Sequence, residues 1–326
     1  MGNVGPSTAV QAVEAPLTRA ACFLVVTIKP EGMDTVRDVL AGIDDLVKTV
    51  SFRDAHSTLS CTVGIGSDVW PELTLLPRPR ELHPFKEVHG QTHTAISTPG
   101  DLLFHIRADR PDLCFEFERI LLEAFAGSVE TVDEVTGFRY FDARDLLGFV
   151  DGTANPVGPA LPEAALVGEE DPRFAGGSYI LIQKYLHPLD KWDALSTEEQ
   201  EAIIGRRKAD NVELADATEG QKSHKTLNTI TENGQELEIV RDNMPFGTPG
   251  KGEFGTYFIG YSRRLWVIEK MLERMFIGDP PGLHDRILDF SVPTTGCTFF
   301  APSAELLATL GEVDESLGIG NNQKGQ

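Results

Sequence analysis

Nowhere does this chain reach the ~20 uninterrupted apolar residues that a membrane helix needs, so no membrane partner is expected. Its beginning, MGNVGPSTAVQAVEAPLTRAACFLVV, has no basic stretch followed by an apolar core and no twin arginine. No secretory signal is read, and the expected location is the cytoplasm. Cysteine is scarce: Cys22, Cys61, Cys114 and Cys297 lie far apart, mostly in apolar runs, and never as a CxxC pair. That argues against a disulfide framework or a cysteine-built zinc site and leaves buried free thiols. Basic residues are outnumbered, 29 against 50 acidic, for a formal net charge of −21. Such a chain repels phosphate backbones, so nucleic acid is not an expected partner. None of the eight histidines stands in HExxH or another close metal pair.

What is present is an ordinary soluble composition, 41% apolar and 24% charged over 326 residues, enough for one large domain or two of common size. CFLVVTIKP reads as a strand, and TVRDVLAGIDDLVKTV as a helix with one apolar face. STLSCTVGIG and DLLFHIRAD are strands, PDLCFEFERILLEAF a helix, and VETVDEVTGFRYF extended chain. The second half repeats the plan with longer insertions. GSYILIQKYLH is a strand, and STEEQEAIIGRR is a helix with a capping box from Ser196 to Glu199. QELEIVRDNMPFG and GTYFIGYSR are strands, and RLWVIEKMLERMFIG is a helix. The fold class expected is α+β: two tandem ferredoxin-like halves, antiparallel sheets packed with helices. The boundaries are a flexible leader at 1–18, halves at 19–158 and 159–311, and a flexible polar tail at 312–326.

Three segments could carry chemistry. GFVDGTANP, residues 148–156, is first of all a turn, since Asp-Gly and Asn-Pro are turn signals. A DxDGT phosphotransferase is excluded because Phe149 stands where the nucleophilic aspartate would be, and a hydrolase using Asp151 is remote for the same reason. His224 lies in the polar stretch QKSHKTLN. In EIVRDNMPFG, Arg241 and Asn243 are two apart, so on extended chain they point to one side.

At these segments the chain resembles the dye-decolorizing peroxidases, particularly their B-type branch: Gly148, Asp151 and Gly152 match the family's GxxDG motif, and SHK and IVRDNMPFG match its other two site segments. GRRK, GTYFIGYSR, LHDRILDFS and GCTFFAPS fit as well, so the resemblance covers roughly residues 20–305. It implies one haem b per chain, bound mainly by the C-terminal half. His224 would be the axial iron ligand and Arg206 would face a propionate. Asp151 and Arg241 would be distal residues with Asn243 assisting. The other nitrogen of His224 should meet a carboxylate, either Asp285 or Asp289. The implied reaction reduces hydrogen peroxide through a ferryl compound I and oxidises dyes, phenols or other small one-electron donors. The alternative is a haem-binding protein that handles haem iron with little peroxidase turnover. The family also implies a homo-oligomer, a dimer or hexamer. SLGIG at 316–320 resembles the cargo-loading peptide that carries B-type members into encapsulin shells, with Leu317, Gly318, Ile319 and Gly320 as the docking segment. The location implied is an encapsulin nanocompartment within the cytoplasm.

Overall fold

Strand β1, Ala20–Ile28, is apolar almost throughout because both of its faces are covered. The next helical stretch, read as one helix, is two: α1, Met33–Ala41, and α2, Ile43–Ser51, meet at Gly42, the weak point of the run. Strands β2, Leu59–Gly66, and β3, Leu102–Ala108, follow. Helix α3, Pro111–Ala124, starts with proline where no amide partner is needed, and β4, Val129–Phe138, closes the first half. The computed structural model describes residues 9–54 and 56–312.

The second half opens with β5, Ser178–Leu186, then α4, Thr197–Ile204, whose Ser196–Glu199 capping box is formed as expected. A short helix α5, His224–Asn228, leads to β6, Val240–Arg241, and β7, Met244–Thr248. Strand β8, Glu253–Ser262, helix α6, Leu265–Phe276, and β9, Cys297–Ala301, complete it. The stretch expected as one strand from 235 is thus interrupted. Between β6 and β7 the register against β8 is kept, but the Ile259 N–H donates to Asn243 Oδ1 at 3.3 Å.

Within each half the strands lie in the order second, third, first, fourth, the ferredoxin-like arrangement. The halves are not separate sheets. Among the described residues they form one ten-stranded sheet, joined where β9 pairs antiparallel with β2, Phe299 opposite Gly66. At the other edge Gly137 of β4 lies so close to Met244 of β7 that an added Cβ would sit 2.5 Å from the Met244 Cβ. Each junction therefore brings the fourth strand of one half to the second strand of the other. Between the halves, Phe23 of β1 stacks on Tyr257 of β8 with ring centroids 4.1 Å apart, in a core shared by both. A second core lies under α1–α3 and a third under α6. Each large side chain buried there contributes about 1.5–3 kcal/mol.

The leader is not loose where it is described. Gln11 is buried, exchanging amide bonds with Val63 N (2.8 Å) and Val63 O (3.0 Å) and donating to Pro302 O (2.9 Å). Val13 is also buried, and Arg107 donates to Ala12 O. A buried amide side chain that meets backbone groups of β2 and of Pro302 holds the segment down. The tail residues Leu317, Gly318, Ile319 and Gly320 lie outside the described residues. The four cysteines are free, Cys61 part-buried and the others buried.

Candidate active site

A cavity of about 350 Å³ opens between the second half's sheet, helix α6 and the segment that links the halves. Its apolar walls come from Phe258 on β8, from Ile268, Met271 and Leu272 on α6, and from Phe149 and Ile204. Asp151, Arg206, His224, Arg241 and Asn243 all line it, so one pocket gathers residues spread over some ninety positions.

GFVDGTANP is a turn, and more. Arg144 and Val150 bridge, Asp151 N–H donates to Ala143 O at 2.9 Å, and Gly148 takes φ +92°, which a side chain would strain. A Cβ on Gly148 would also lie 2.5 Å from Lys208 Cε. Arg144 Nη1 pins the turn by donating to Gly148 O and Lys208 O, both at 2.8 Å. Asp151 Oδ1 accepts from Gly152 N–H (2.7 Å) and from Asn243 Nδ2 (3.3 Å). Asp151 lines the cavity, and its Oδ2 makes no hydrogen bond among the described residues. Asn243 cannot be turned round without loss, because its own Oδ1 accepts from Ile259.

Asn155, in the same motif, grips Arg241 by its backbone. Its Nδ2 donates to Arg241 O at 2.6 Å, and Arg241 N–H donates to its Oδ1 at 3.0 Å. The Asn-Pro pair reads as a turn signal, and nothing local in the sequence points to a partner 86 residues away. The Arg241 guanidinium makes no hydrogen bond or ion pair among the described residues. Burial pulls its pKa below the ordinary arginine value while Asp151 opposes the shift, and the group stays charged at any working pH. The neighbouring Asp242 faces the other way, buried against Arg107 (3.1 Å) and Arg139 (3.8 Å).

His224 opens α5, whose first turn is capped by Ser223. Its Nδ1 meets Asp285 Oδ2 at 2.6 Å, and Asp285 has no exposed surface. Asp285 is fixed by its N–H donating to Met275 O (2.8 Å) and its Oδ1 accepting from Ile287 N–H (3.1 Å). Asp289 points elsewhere, to His93 and His284. Of the two carboxylates it is Asp285 that the fold brings to His224, and Nε2 makes no hydrogen bond among the described residues. Arg206 lines the cavity, but its guanidinium is engaged by Glu213 and by Asn211 O.

Two further lining residues had no signal in the sequence. Burial pushes the Asp145 carboxyl up to about 7, helped by the nearby Asp151 charge and resisted by backbone N–H groups of the turn. Burial pushes His187 down to about 4, so it is a neutral ring donating or accepting at Thr256 Oγ1 (2.8 Å) and Ser291 Oγ (3.0 Å).

Residues 10–139 match the family model for the Dyp-type peroxidase N-terminal domain, and residues 142–306 match that for the Dyp-type peroxidase C-terminal domain. The chain belongs to the Dyp-type peroxidase family. A dye-decolorizing peroxidase of Mycobacterium tuberculosis (strain ATCC 25618 / H37Rv) is 54% identical over 93% of this chain and 90% of its own. Among solved structures, a DypB variant of Rhodococcus jostii RHA1 in complex with heme is 52% identical, covers 93% of this chain and 99% of its own, and has a TM-score of 0.90. The encapsulated DyP-type peroxidase of Mycobacterium smegmatis is 54% identical, covers 93% and 98%, and has the same TM-score. The cavity lining, Asp145 to Ser291, falls wholly within the part of this Dyp-type peroxidase that matches the C-terminal model.

Proposed function

We propose that the chain is a haem peroxidase, holding one haem b in this cavity with His224 Nε2 as the iron ligand. The observation that carries the reading is a division of free and tied groups on one lining. His224 Nδ1 is tied to a buried carboxylate while Nε2 makes no hydrogen bond among the described residues, and Arg241 brings a cation with no hydrogen bond or ion pair among them. The donor set fits the group: an imidazole oriented by a carboxylate suits iron, and the apolar walls suit a porphyrin face. When bound, the haem supplies a ferric iron that takes up peroxide and the electrons for its reduction. Asp285 holds the His224 ring in the tautomer with Nε2 unprotonated and makes the ligand more electron-rich.

The remaining work falls to the protein's polar groups. Asp151 Oδ2 takes the proton from one oxygen of hydrogen peroxide and returns it to the other as that oxygen leaves. Arg241 stabilises the negative charge that grows on the departing oxygen, and its clamped backbone keeps the guanidinium aimed without reorganisation. Asn243 holds Asp151 and adds no charge. Arg206, on the lining, would pair with a haem propionate. Reducing substrates are small one-electron donors such as dyes and phenols.

An absorption spectrum tests this. The purified chain should show a Soret band that changes on mixing with peroxide, with peroxide-dependent dye oxidation. A haem-loaded protein whose spectrum peroxide leaves unchanged would instead be a carrier or an iron-handling protein. His224→Ala should lose haem or its histidine-ligated spectrum. The cargo role belongs to the same proposal, supported by the SLGIG resemblance and by the encapsulated relative from Mycobacterium smegmatis. Deleting residues 312–326 should leave dye oxidation intact and abolish loading into an encapsulin shell; loading that survives the deletion places the signal in the folded part.

A further inference from the structure

We propose that His93, His284 and Asp289 form a second metal site, separate from the cavity, for a divalent first-row transition ion, with Zn²⁺ as its reference occupant. Their ligand atoms lie within 4.8 Å of one another. His93 Nε2 is 3.1 Å and His284 Nε2 3.0 Å from the same oxygen, Asp289 Oδ1. Two ligands held at ~2.0–2.1 Å from a tetrahedral zinc ion are themselves roughly 3.3 Å apart, so both pairs already stand near that spacing. The two rings cross at 73° with centroids 4.8 Å apart, so the imidazoles approach from different directions.

Each ligand sits on a position the backbone has fixed. His93 is at the tip of the hairpin Val88–His89/Thr94–Ala95, where Gly90 N–H donates to His93 O at 2.9 Å. That hairpin is pressed on the end of α6: an added Cβ on Gly90 would lie 2.0 Å from Phe276 O. The His284 carbonyl accepts from Gln221 Nε2 at 3.0 Å, and the next residue is the anchored Asp285. Asp289 ends the short 3-10 turn Arg286–Asp289.

The chemistry of the set selects the ion. Two imidazoles with one carboxylate suit zinc and its transition-metal neighbours, whereas calcium and magnesium take oxygen ligands. The side chains are 20%, 21% and 34% exposed, so an ion can enter and complete its shell with solvent. The bound ion would tie a hairpin of the first half to the segment that carries Asp285. The site does not depend on the haem reading, because none of its three residues lines the cavity.

The test uses haem-loaded full-length protein, stripped with a chelator and titrated with ZnCl₂ against a chromogenic competitor. Wild type should show one site per chain, with affinity falling at least about tenfold in His93→Ala and in His284→Ala. His89→Ala, an exposed histidine four residues away, should bind zinc like wild type. Equal Soret absorbance across the set shows that the variants fold. Zinc binding that is the same in wild type and in the double variant His93→Ala/His284→Ala overturns the proposal. So does anomalous scattering at the zinc edge that finds no ion between these three residues in zinc-soaked crystals.

Discussion

Arg241 is the residue on which the proposed reaction most depends, because it carries the only charge at the cavity that opposes a developing anion while having no partner of its own among the described residues. Replacing it by leucine keeps the bulk and removes the charge. Arg241→Leu should slow peroxide consumption on rapid mixing by about 10²–10³-fold, the scale for losing one preorganised donor. A rate within threefold of wild type would remove the arginine from the mechanism. Asn155→Ala tests the clamp. It removes both bonds to the Arg241 backbone and should lower the same rate less than Arg241→Leu does, with a stability loss of about 1–3 kcal/mol from unmet backbone groups. Arg241 beside an apolar run asked for a reason, and Asn243 two positions on shares its side of the strand, but Asp151 in a turn and His224 in a polar stretch gained roles only through the company of matching segments. Asn155 was not legible, because an asparagine before proline already has a local explanation. The choice between Asp285 and Asp289 was closed to sequence for another reason. Both sit in one short segment, and only burial and direction separate them.

Alternation along an extended segment does two tasks at once between 240 and 244. Arg241 and Asn243 face the cavity, so Asp242 must face the interior between the halves, where Arg107 meets it and His105 lies 3.9 Å off. The sequence showed the alternation but not what Asp242 would meet, since Arg107 belongs to the other half. Removing one partner of a buried ion pair leaves the other uncompensated, at a cost of about 3–5 kcal/mol. Asp242→Ala should therefore lose that much stability in chemical denaturation. A loss under about 1 kcal/mol would mean that Arg107 finds other acceptors, such as Ala12 O, sufficient. The helix split at Gly42 was half legible: the glycine stands in the sequence, but the apolar stripe continues on both sides of it and reads as one helix.

At the scale of the molecule, the duplicated strand–helix order was readable, but the joining of the halves into one sheet was not. Strands β2 and β9 have the same apolar pattern whether they end a sheet or pair with each other, and the pairing residues, Gly66 and Phe299, are far apart in the chain. Folding of the second half and the linking segment encloses the cavity, and two titrating groups on its lining depart from their ordinary behaviour and pull stability in opposite directions. The folded Asp145 holds its proton to about pH 7, while the unfolded chain releases it near the ordinary 3.8. Its contribution is therefore full at low pH and is lost as pH rises toward 7. The folded His187 stays neutral down to about pH 4, while the unfolded ring charges near 6.5. Its contribution is full above 6.5 and is lost as pH falls toward 4. Other groups shared by wild type and variant cancel when the two are compared. The stability of Asp145→Asn relative to wild type should thus increase between pH 4.5 and 7.5, by on the order of 4 kcal/mol at full extent. That of His187→Gln relative to wild type should decrease between pH 4 and 6.5. Urea unfolding of the three proteins at four pH values across this range measures both differences. Two flat lines, or two of the same sign, would show that the cavity lining does not shift these groups as their burial requires.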